Sequence, residues 1–362
     1  MFNFFKKKPN FSGPFNLPEE RVQAFVDHWY AQWSTAQKAM GHKVDFDYWG
    51  KLVNEVDSTH FATGSSSNTA GAYGSQPTFG GASQQITKSE SSESKAQVFA
   101  ELREPAVSMT QYHVFDLERR SDNDWRITKV HELLDPPHEA VVDANAVTEA
   151  LAMGMASAPP MNIQDNLSLD ENVVFNGNRT VDIANLGEGK VRMTDIGTLH
   201  IRSGVLAILD FGYTIRNLEP LQQTVVTGEY PVQVVTVNDR VAALRVRFDI
   251  DRKSVRWQAA NTPSGNGIYG VDAGNLAVFD VEALSGLTHL KKETVFDEWA
   301  RTNVPSTVSL TGDNDCVITS SGFGDGAYPA LWGFADNDQL VSLYLDFMIL
   351  LEERDDGVLA SI

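Results

Sequence analysis

Residues 203–210 read SGVLAILD and residues 273–280 read AGNLAVFD, so Gly204/Gly274, Leu206/Leu276, Ala207/Ala277 and Asp210/Asp280 coincide. Further on, EYPVQVVTVNDRVAALRVRF (229–248) lines up with AYPALWGFADNDQLVSLYLDF (327–347), with one extra turn residue. Each copy reads as a strand ending in Asp, a connection, then Tyr-Pro and a hairpin turning at Asn-Asp. This duplication confines the fold to few architectures. One hairpin cannot bury its own apolar face, so the two copies are expected to make one sandwich or barrel. The second copy adds an acidic helix around KETVFDEWARTN and elaborates the corner VVTGEYPV into SSGFGDGAYPALWGF. Glycine there permits positive φ, and proline at a strand start loses no ladder bond. Asp325 is the residue of that corner left without a backbone reason.

Ahead of this block the pattern changes. Residues 1–16 read as a tail. Residues 17–135 open with a helix in which Val22, Phe25, Val26, Trp29 and Trp33 fall at helical spacing, Pro18 near its start and Gly41 at its end. A short aromatic segment, VDFDYWGKLV, comes next. AQVFAELREP, VSMTQYHVFDLERR and NDWRITKVHELLD then read as strands, the last two joined across SDND. Residues 61–94 are dominated by Ser, Gly, Thr and Gln and read as a flexible loop. Residues 136–160 read as a connector helix bracketed by proline pairs, with Val141, Ala144, Val147 and Leu151 on one narrow stripe. The predicted fold class is α+β. A helix and a curved, cone-like antiparallel sheet are followed by a mainly-β domain over 161–362, built from two related units.

Composition limits the partners. The formal net charge is −19, and residues 160–362 hold 28 of the 48 acidic and 15 of the 29 basic residues. Such a field repels nucleic acid and anionic membrane and steers basic partners inward. The single cysteine, Cys316, rules out an internal disulfide and a cysteine-built metal site, and is expected as a buried thiol. MFNFFKKKP is too short for a signal peptide and has its charge on the wrong side, and no stretch approaches 18 apolar residues. A cytoplasmic protein is expected.

The candidates for chemistry are carboxylates. Asp210, Asp272, Asp280, Asp325 and Asp346 each lie beside strand-like apolar runs, and convergence of several at one end would allow general acid and base work. Strand-end aspartates also accept backbone N–H bonds or cap turns. GDNDC (312–316) and ADNDQ (335–339) place Asp313, Asp315, Asp336 and Asp338 as paired oxygen donors, but neither continues into the glycine and distal glutamate of a calcium loop. GNGIYG (265–270) matches a dinucleotide-loop spacing, yet the next residues, VDAGNLAVFD, read as strand rather than helix. His28, Trp29, Trp33, Tyr48, Trp49, Tyr112 and His113 would line either a cavity or, as aromatics at helical spacing more often do, a core. No cofactor or metal is expected.

Two resemblances add to this reading. The SG at 203–204, GEYPV at 228–232, RVAALRV at 240–246, RW at 256–257, YGVDAG at 269–274, SGFGDGAYPALWG at 321–333 and LDF at 345–347 together resemble a bacterial family of unknown function. That resemblance implies an association with bacterial toxin-immunity loci. The opening aromatic helix and the terminal DWRITKV strand resemble the immunity-protein branch of the nuclear transport factor 2-like fold, which implies a helix-then-curved-sheet domain with a binding role. The expected function is therefore that of an immunity protein which occludes a basic toxin such as a nuclease domain. Asp325, Asp313, Asp315, Asp336 and Asp338 are its candidate contacts. A hydrolase or carbohydrate-active enzyme using Asp272, Asp280, Asp325 and Asp346, or an adaptor joining two binding modules, are the alternatives.

Overall fold

The computed structural model describes residues 11–41, 43–103, 109–156, 167–183, 187–353 and 358–362. The MFNFFKKKP stretch and the proline pair at 159–160 lie outside the described residues. The chain divides into two compact units, residues 1–139 and 140–362, and the class is α+β. Among the described residues, no helix is long and apolar enough to cross a membrane.

In the first unit, helix α1 (Pro18–Met40) begins on a proline whose fixed φ suits a first helical position, with Glu19 and Glu20 in its first turn. It ends at Gly41, whose φ of 56° favours a residue without Cβ. Helix α2 (Phe46–His60) starts where the Asp45 carboxylate accepts the Tyr48 N–H at 3.0 Å, so the aromatic segment expected there runs to 15 residues of helix. Strands β1 (Gln84–Ser91), β2 (Lys95–Arg103), β3 (Thr110–Arg119) and β4 (Trp125–Leu133) form an antiparallel sheet in that order. Val22, Phe25, Val26 and Trp29 of α1 pack with Trp49 and Val53 of α2 against Val98, Phe115, Leu117, Trp125 and Ile127 of the sheet.

The flexible loop expected over 61–94 is instead an ordered part of this unit. Strand β1 pairs with β2 from Gln84↔Leu102 to Ser91↔Ala96. The segment before it is tied to the helices by their indoles. Trp29 Nε1 donates to Thr69 Oγ1 at 3.0 Å, and Trp49 Nε1 donates to the carbonyls of Thr69 and Ala72 at 2.9 and 3.0 Å. Phe79 is fully buried, its ring 4.9 Å from Phe25 and 5.1 Å from Trp29. A polar composition conceals such anchors, because one aromatic and a few backbone acceptors suffice when tryptophan donors await them.

The second unit contains helix α3 (Ala144–Ala156), β5 (Leu167–Ser168), helix α4 (Glu171–Val174), β6 (Thr180–Ile183), β7 (Gly187–Ile201), β8 (Leu206–Leu209), β9 (Gly228–Val237) and β10 (Arg240–Arg247). It continues with β11 (Arg256–Ala259), β12 (Ile268–Val271), β13 (Asn275–Asp280), helix α5 (His289–Thr302), β14 (Ser306–Val308), β15 (Cys316–Ser320), β16 (Gly326–Phe334), β17 (Leu340–Asp346), β18 (Leu351–Glu353) and β19 (Leu359–Ser361). A large sheet runs β11-β16-β17-β10-β9-β7-β6, with β12 also on β16; a smaller one runs β14-β15-β13-β8. Their facing apolar residues, among them Leu206, Ile208, Val278, Leu244, Trp332 and Leu343, form the central core. Two sheets sharing one core fit the sandwich-or-barrel expectation drawn from the duplication.

The outer face of the small sheet is covered by α3 and α5, through Val147, Ala150, Val295 and Trp299 against Ala207, Phe211, Phe279 and Cys316. Cys316 is buried, and burial raises its thiol pKa well above the usual value. The outer face of the large sheet is covered by Leu169, Val174, Phe175, Ile349 and Leu350.

The two copies pack about a pseudo-two-fold axis. In the small sheet Val278 pairs with Ile208, its own counterpart in the other copy, and Phe279↔Ala207 mirrors Ala277↔Leu209. In the large sheet Arg245 pairs with its counterpart Tyr344, flanked by Ala243↔Asp346 and Arg247↔Ser342. The axis thus passes through one residue pair in each layer.

The first unit yields a stability prediction. Phe79→Ala is expected to destabilise it by about 3–4 kcal/mol and to raise amide exchange over 66–80, read by denaturant unfolding and hydrogen exchange. Wild-type exchange rates there in the variant would show that Phe79 does not anchor the segment.

Candidate functional site

The aspartates singled out in the sequence hold backbone turns, and two of them do so reciprocally. Asp280 Oδ2 accepts the N–H groups of Arg202 and Ser203 at 2.6 and 2.8 Å, and its Oδ1 accepts Ser203 Oγ and the Glu282 N–H. Its counterpart Asp210 does the same to the other copy: Oδ2 accepts the N–H groups of Asp272 and Ala273, each at 2.7 Å, and Oδ1 accepts from Gly212 N and Asn275 Nδ2. Each copy's strand-end carboxylate therefore fastens the turn that begins the other copy's strand. The two fastenings lie near opposite ends of β13, five residues apart, or about 17 Å at the rise of an extended strand. They do not converge.

The remaining aspartates are scattered. Asp272 is exposed, offering its backbone N–H to Asp210. Asp315 is fully buried and accepts the N–H groups of Leu310, Thr311 and Gly312, with Arg202 Nη2 3.6 Å away. Asp313 is exposed beside it. Asp336 and Asp338 sit on the exposed β16–β17 turn, where Asp338 takes a positive φ and pairs with Arg256 Nη2 at 2.6 Å. Asp346 is buried, accepting the Tyr344 hydroxyl and, at 2.6 Å, the Met348 N–H. Burial pushes its carboxyl up to about 6 in spite of those bonds. Among the described residues no group of three His, Cys, Asp or Glu is placed to hold a metal ion. GNGIYG leads into strand β12 rather than a helix.

His28, His60 and His113 belong to the core of the first unit. Arg21 is fully buried, donating to both oxygens of Asp124 at 2.6 and 2.9 Å, to the Trp125 carbonyl and to His60 Nδ1. A guanidinium only donates, so His60 carries its proton on Nε2 and passes it as a hydrogen bond to His28 Nδ1, 3.2 Å away. Burial and the adjacent Arg21 charge drive the His60 imidazole down to about 2, and burial takes His113 to about 4. These rings stay neutral and structural at ordinary pH.

Beyond the reciprocal contacts, the two copies differ at one corner. Both close the Tyr-Pro turn alike, Tyr230 Oη donating to the Val226 carbonyl at 2.7 Å and Tyr328 Oη to the Gly324 carbonyl at 2.9 Å. In the first copy the corner is sealed. The Val225 N–H donates to the Gly204 carbonyl at 2.8 Å, and a Cβ on Gly204 would meet the Val225 oxygen at 2.6 Å. In the second copy the Ser321 N–H likewise donates to the Gly274 carbonyl at 3.0 Å, but Gly274, the counterpart of Gly204, has open space where its Cβ would be. There α5, the turn at Asp239 and Arg240, and the Ser320–Gly324 loop surround a cleft of about 470 Å³. Phe296 and Trp299 line it from the helix, and Phe323 stands beside Arg240 at its lip.

Local sequence explains that corner. Gly322 at φ 65° brings its backbone so near β10 that a Cβ would lie 2.6 Å from the Val241 oxygen. Gly324 at φ 93° carries the chain back toward β16. Between them Phe323 is 49 % exposed, with the Arg240 guanidinium 5.5 Å from its ring centroid and Arg240 Nη1 donating to the Gly322 carbonyl at 3.0 Å. Asp325 and Asp272, both exposed, follow and precede the lining residues Gly324 and Ala273 in sequence. Trp299 is 6 % exposed, and its buried indole N–H has no hydrogen-bond partner. Sequence reading reached Asp325 but missed Arg240, Phe296, Trp299 and Phe323; the signal for the three aromatic residues was the helix and loop that only the second copy has, whereas Arg240 stands on the first copy's hairpin turn and carries no such mark.

Two variants separate fold-bearing from expendable acid. Asp280→Ala leaves at least three backbone or hydroxyl donors without acceptors and is expected to cost about 3 kcal/mol or more. For Asp346, raised from 3.8 to about 6, the folded state binds the proton more tightly than the unfolded state. Its contribution is thus full below about pH 4 and lost as pH climbs through 6, a difference of about 3 kcal/mol. Asp346→Asn is expected to flatten that part of the stability curve and to match or exceed the wild type at pH 7.5. Urea melts of both variants from pH 4 to 8 check this, and an unchanged pH profile in Asp346→Asn would refute it.

Residues 199–345 match the family model described as protein of unknown function (DUF4241), and no curated protein matches the chain. The matched span runs from the end of β7 into β17 and takes in the first copy, all but the last two residues of the second, and the open corner.

Proposed function

We propose that this chain is an immunity-type binding protein, which holds a basic protein toxin and blocks its working surface. The observation that carries this reading is how the expected catalytic carboxylates are used. Asp210, Asp280 and Asp315 are engaged by backbone N–H groups, and Asp346 by a tyrosine hydroxyl and a backbone N–H. Asp210 and Asp280 fall near opposite ends of one strand, which gives a hydrolase no pair to work with. The acid that is left, Asp239, Asp272, Asp313, Asp325, Asp336 and Asp338, is exposed. A surface of that sign suits a basic partner, because charge complementarity raises association rate and discriminates between partners. The first unit would serve the same end through its helix-and-sheet form, the architecture its resemblance to nuclear transport factor 2-like immunity domains implies. The setting is the cytoplasm of the cell that makes the toxin.

The test is in two steps. Tagged full-length protein is captured from its host at low salt and each stoichiometric partner is identified by mass. The partner's gene is then expressed alone and together with this chain. The expected result is a basic partner that arrests growth alone and is silenced on co-expression, released as salt rises. A stoichiometric partner without toxicity, or none, would overturn the reading.

A further inference from the structure

We propose that the open corner of the second copy is a docking pocket for a short basic peptide segment, whose arginine or lysine side chain lies among Asp239, Phe296 and Phe323. This rests on the binding reading above and names the chemistry that one part of the surface recognises. The duplicated fold supplies an internal control. Everything the sandwich needs, the fastening aspartate, the glycine before the strand and the tyrosine closing the corner, occurs in both copies. Only one corner is opened, and only there does a helix contribute aromatic residues to the space.

Three features fix the occupant's chemistry. The cleft is lined by one carboxylate, Asp239, and one guanidinium, Arg240, and the exposed Asp272 and Asp325 stand next in sequence to the lining residues Ala273 and Gly324, so acid outnumbers base around it and favours a cation. Phe323 holds its ring half-exposed and already beside one guanidinium, Arg240, an arrangement that accepts a cationic side chain over an aromatic face. Trp299 lines the cleft with a buried indole N–H that has no acceptor, a costly state relieved by a carbonyl oxygen. A basic side chain next to a free backbone carbonyl is what a peptide loop presents. The volume of about 470 Å³ holds a few residues, not a folded domain.

The probe is the blocked tripeptide Gly-Arg-Gly amide, titrated into the full-length protein while the ¹H–¹⁵N indole resonance of Trp299, assigned with Trp299→Phe, is followed. The expected result is a saturable shift of that resonance, about tenfold weaker for Asp239→Asn or Phe323→Ser, and none with Gly-Glu-Gly amide. Both substitutions lie on exposed residues, so folding is retained. No shift, or an equal response to the acidic tripeptide, overturns the pocket. Repeating the partner capture with Asp239→Lys separates the two readings. Retention of a toxic partner by that variant removes the pocket and leaves the immunity role, whereas tripeptide binding without any toxic partner keeps the pocket and removes the role.

Discussion

The second unit depends on one reciprocal contact. Asp210 and Asp280 each reach out of their own copy to collect the two N–H groups that open the other copy's strand. Charge-assisted bonds from a carboxylate to paired amides are among the stronger hydrogen bonds available to a protein. They also fix direction, since each aspartate must end its strand where the other copy's turn begins. Once both are made, β8 and β13 have no other antiparallel register, and the hairpins β9–β10 and β16–β17 are brought edge to edge at Arg245 and Tyr344. That placement in turn sets the core between the sheets.

Duplication explains why so much of the acid is silent. A group required twice by the fold cannot easily be spared for chemistry in one copy, because the cost of leaving its amides unsatisfied is the same in both. Freedom arises where the copies differ. Both corners are tied by a backbone bond, Val225 to Gly204 and Ser321 to Gly274, but only in the first does the loop press against the glycine and leave no space. The second has been widened by two positive-φ glycines and walled by α5, a helix the first copy lacks. Asymmetry, and not a catalytic group, is what sets this corner apart from its counterpart.

The repeat, the sandwich and the strand-ending aspartates could be read from the letters, because each leaves a periodic or duplicated mark. The role of those aspartates could not. Asp280 beside an apolar run looks the same whether its oxygens face solvent or the amides of Arg202 and Ser203, 78 and 77 positions away. Strand β1 and the anchoring of Phe79 were hidden for a related reason. Composition records how much of a segment is apolar, not whether Trp29 and Trp49 have donors waiting for its carbonyls and hydroxyls. Trp299 was legible only as part of an added helix, since its opening onto a cleft depends on Gly274, which is 25 residues earlier in the chain.

At the axis itself the symmetry is broken, and the breakage has a consequence. Identical residues there would offer any covering segment two equivalent seats related by the two-fold. Instead Arg245 lies beside Tyr344. Arg245 donates to Gln233 Oε1 at 2.8 Å, pairs with the buried Glu171 of α4 at 3.4 Å and stacks 4.0 Å from the Phe175 ring centroid. Tyr344 turns its hydroxyl to Asp346. A buried pair of this kind adds little net stability over an apolar one, since the desolvation of both charges offsets their attraction. What it fixes is orientation: Glu171 meets a cation at one of the two seats and a phenol at the other. The segment from Leu169 to Phe175 therefore has a single place on the large sheet, and Trp257 Nε1 holds it there through the Leu169 carbonyl at 3.0 Å. The same sandwich is thus dressed differently on its two sides of the axis, which is the condition for a duplicated fold to carry one site and not two.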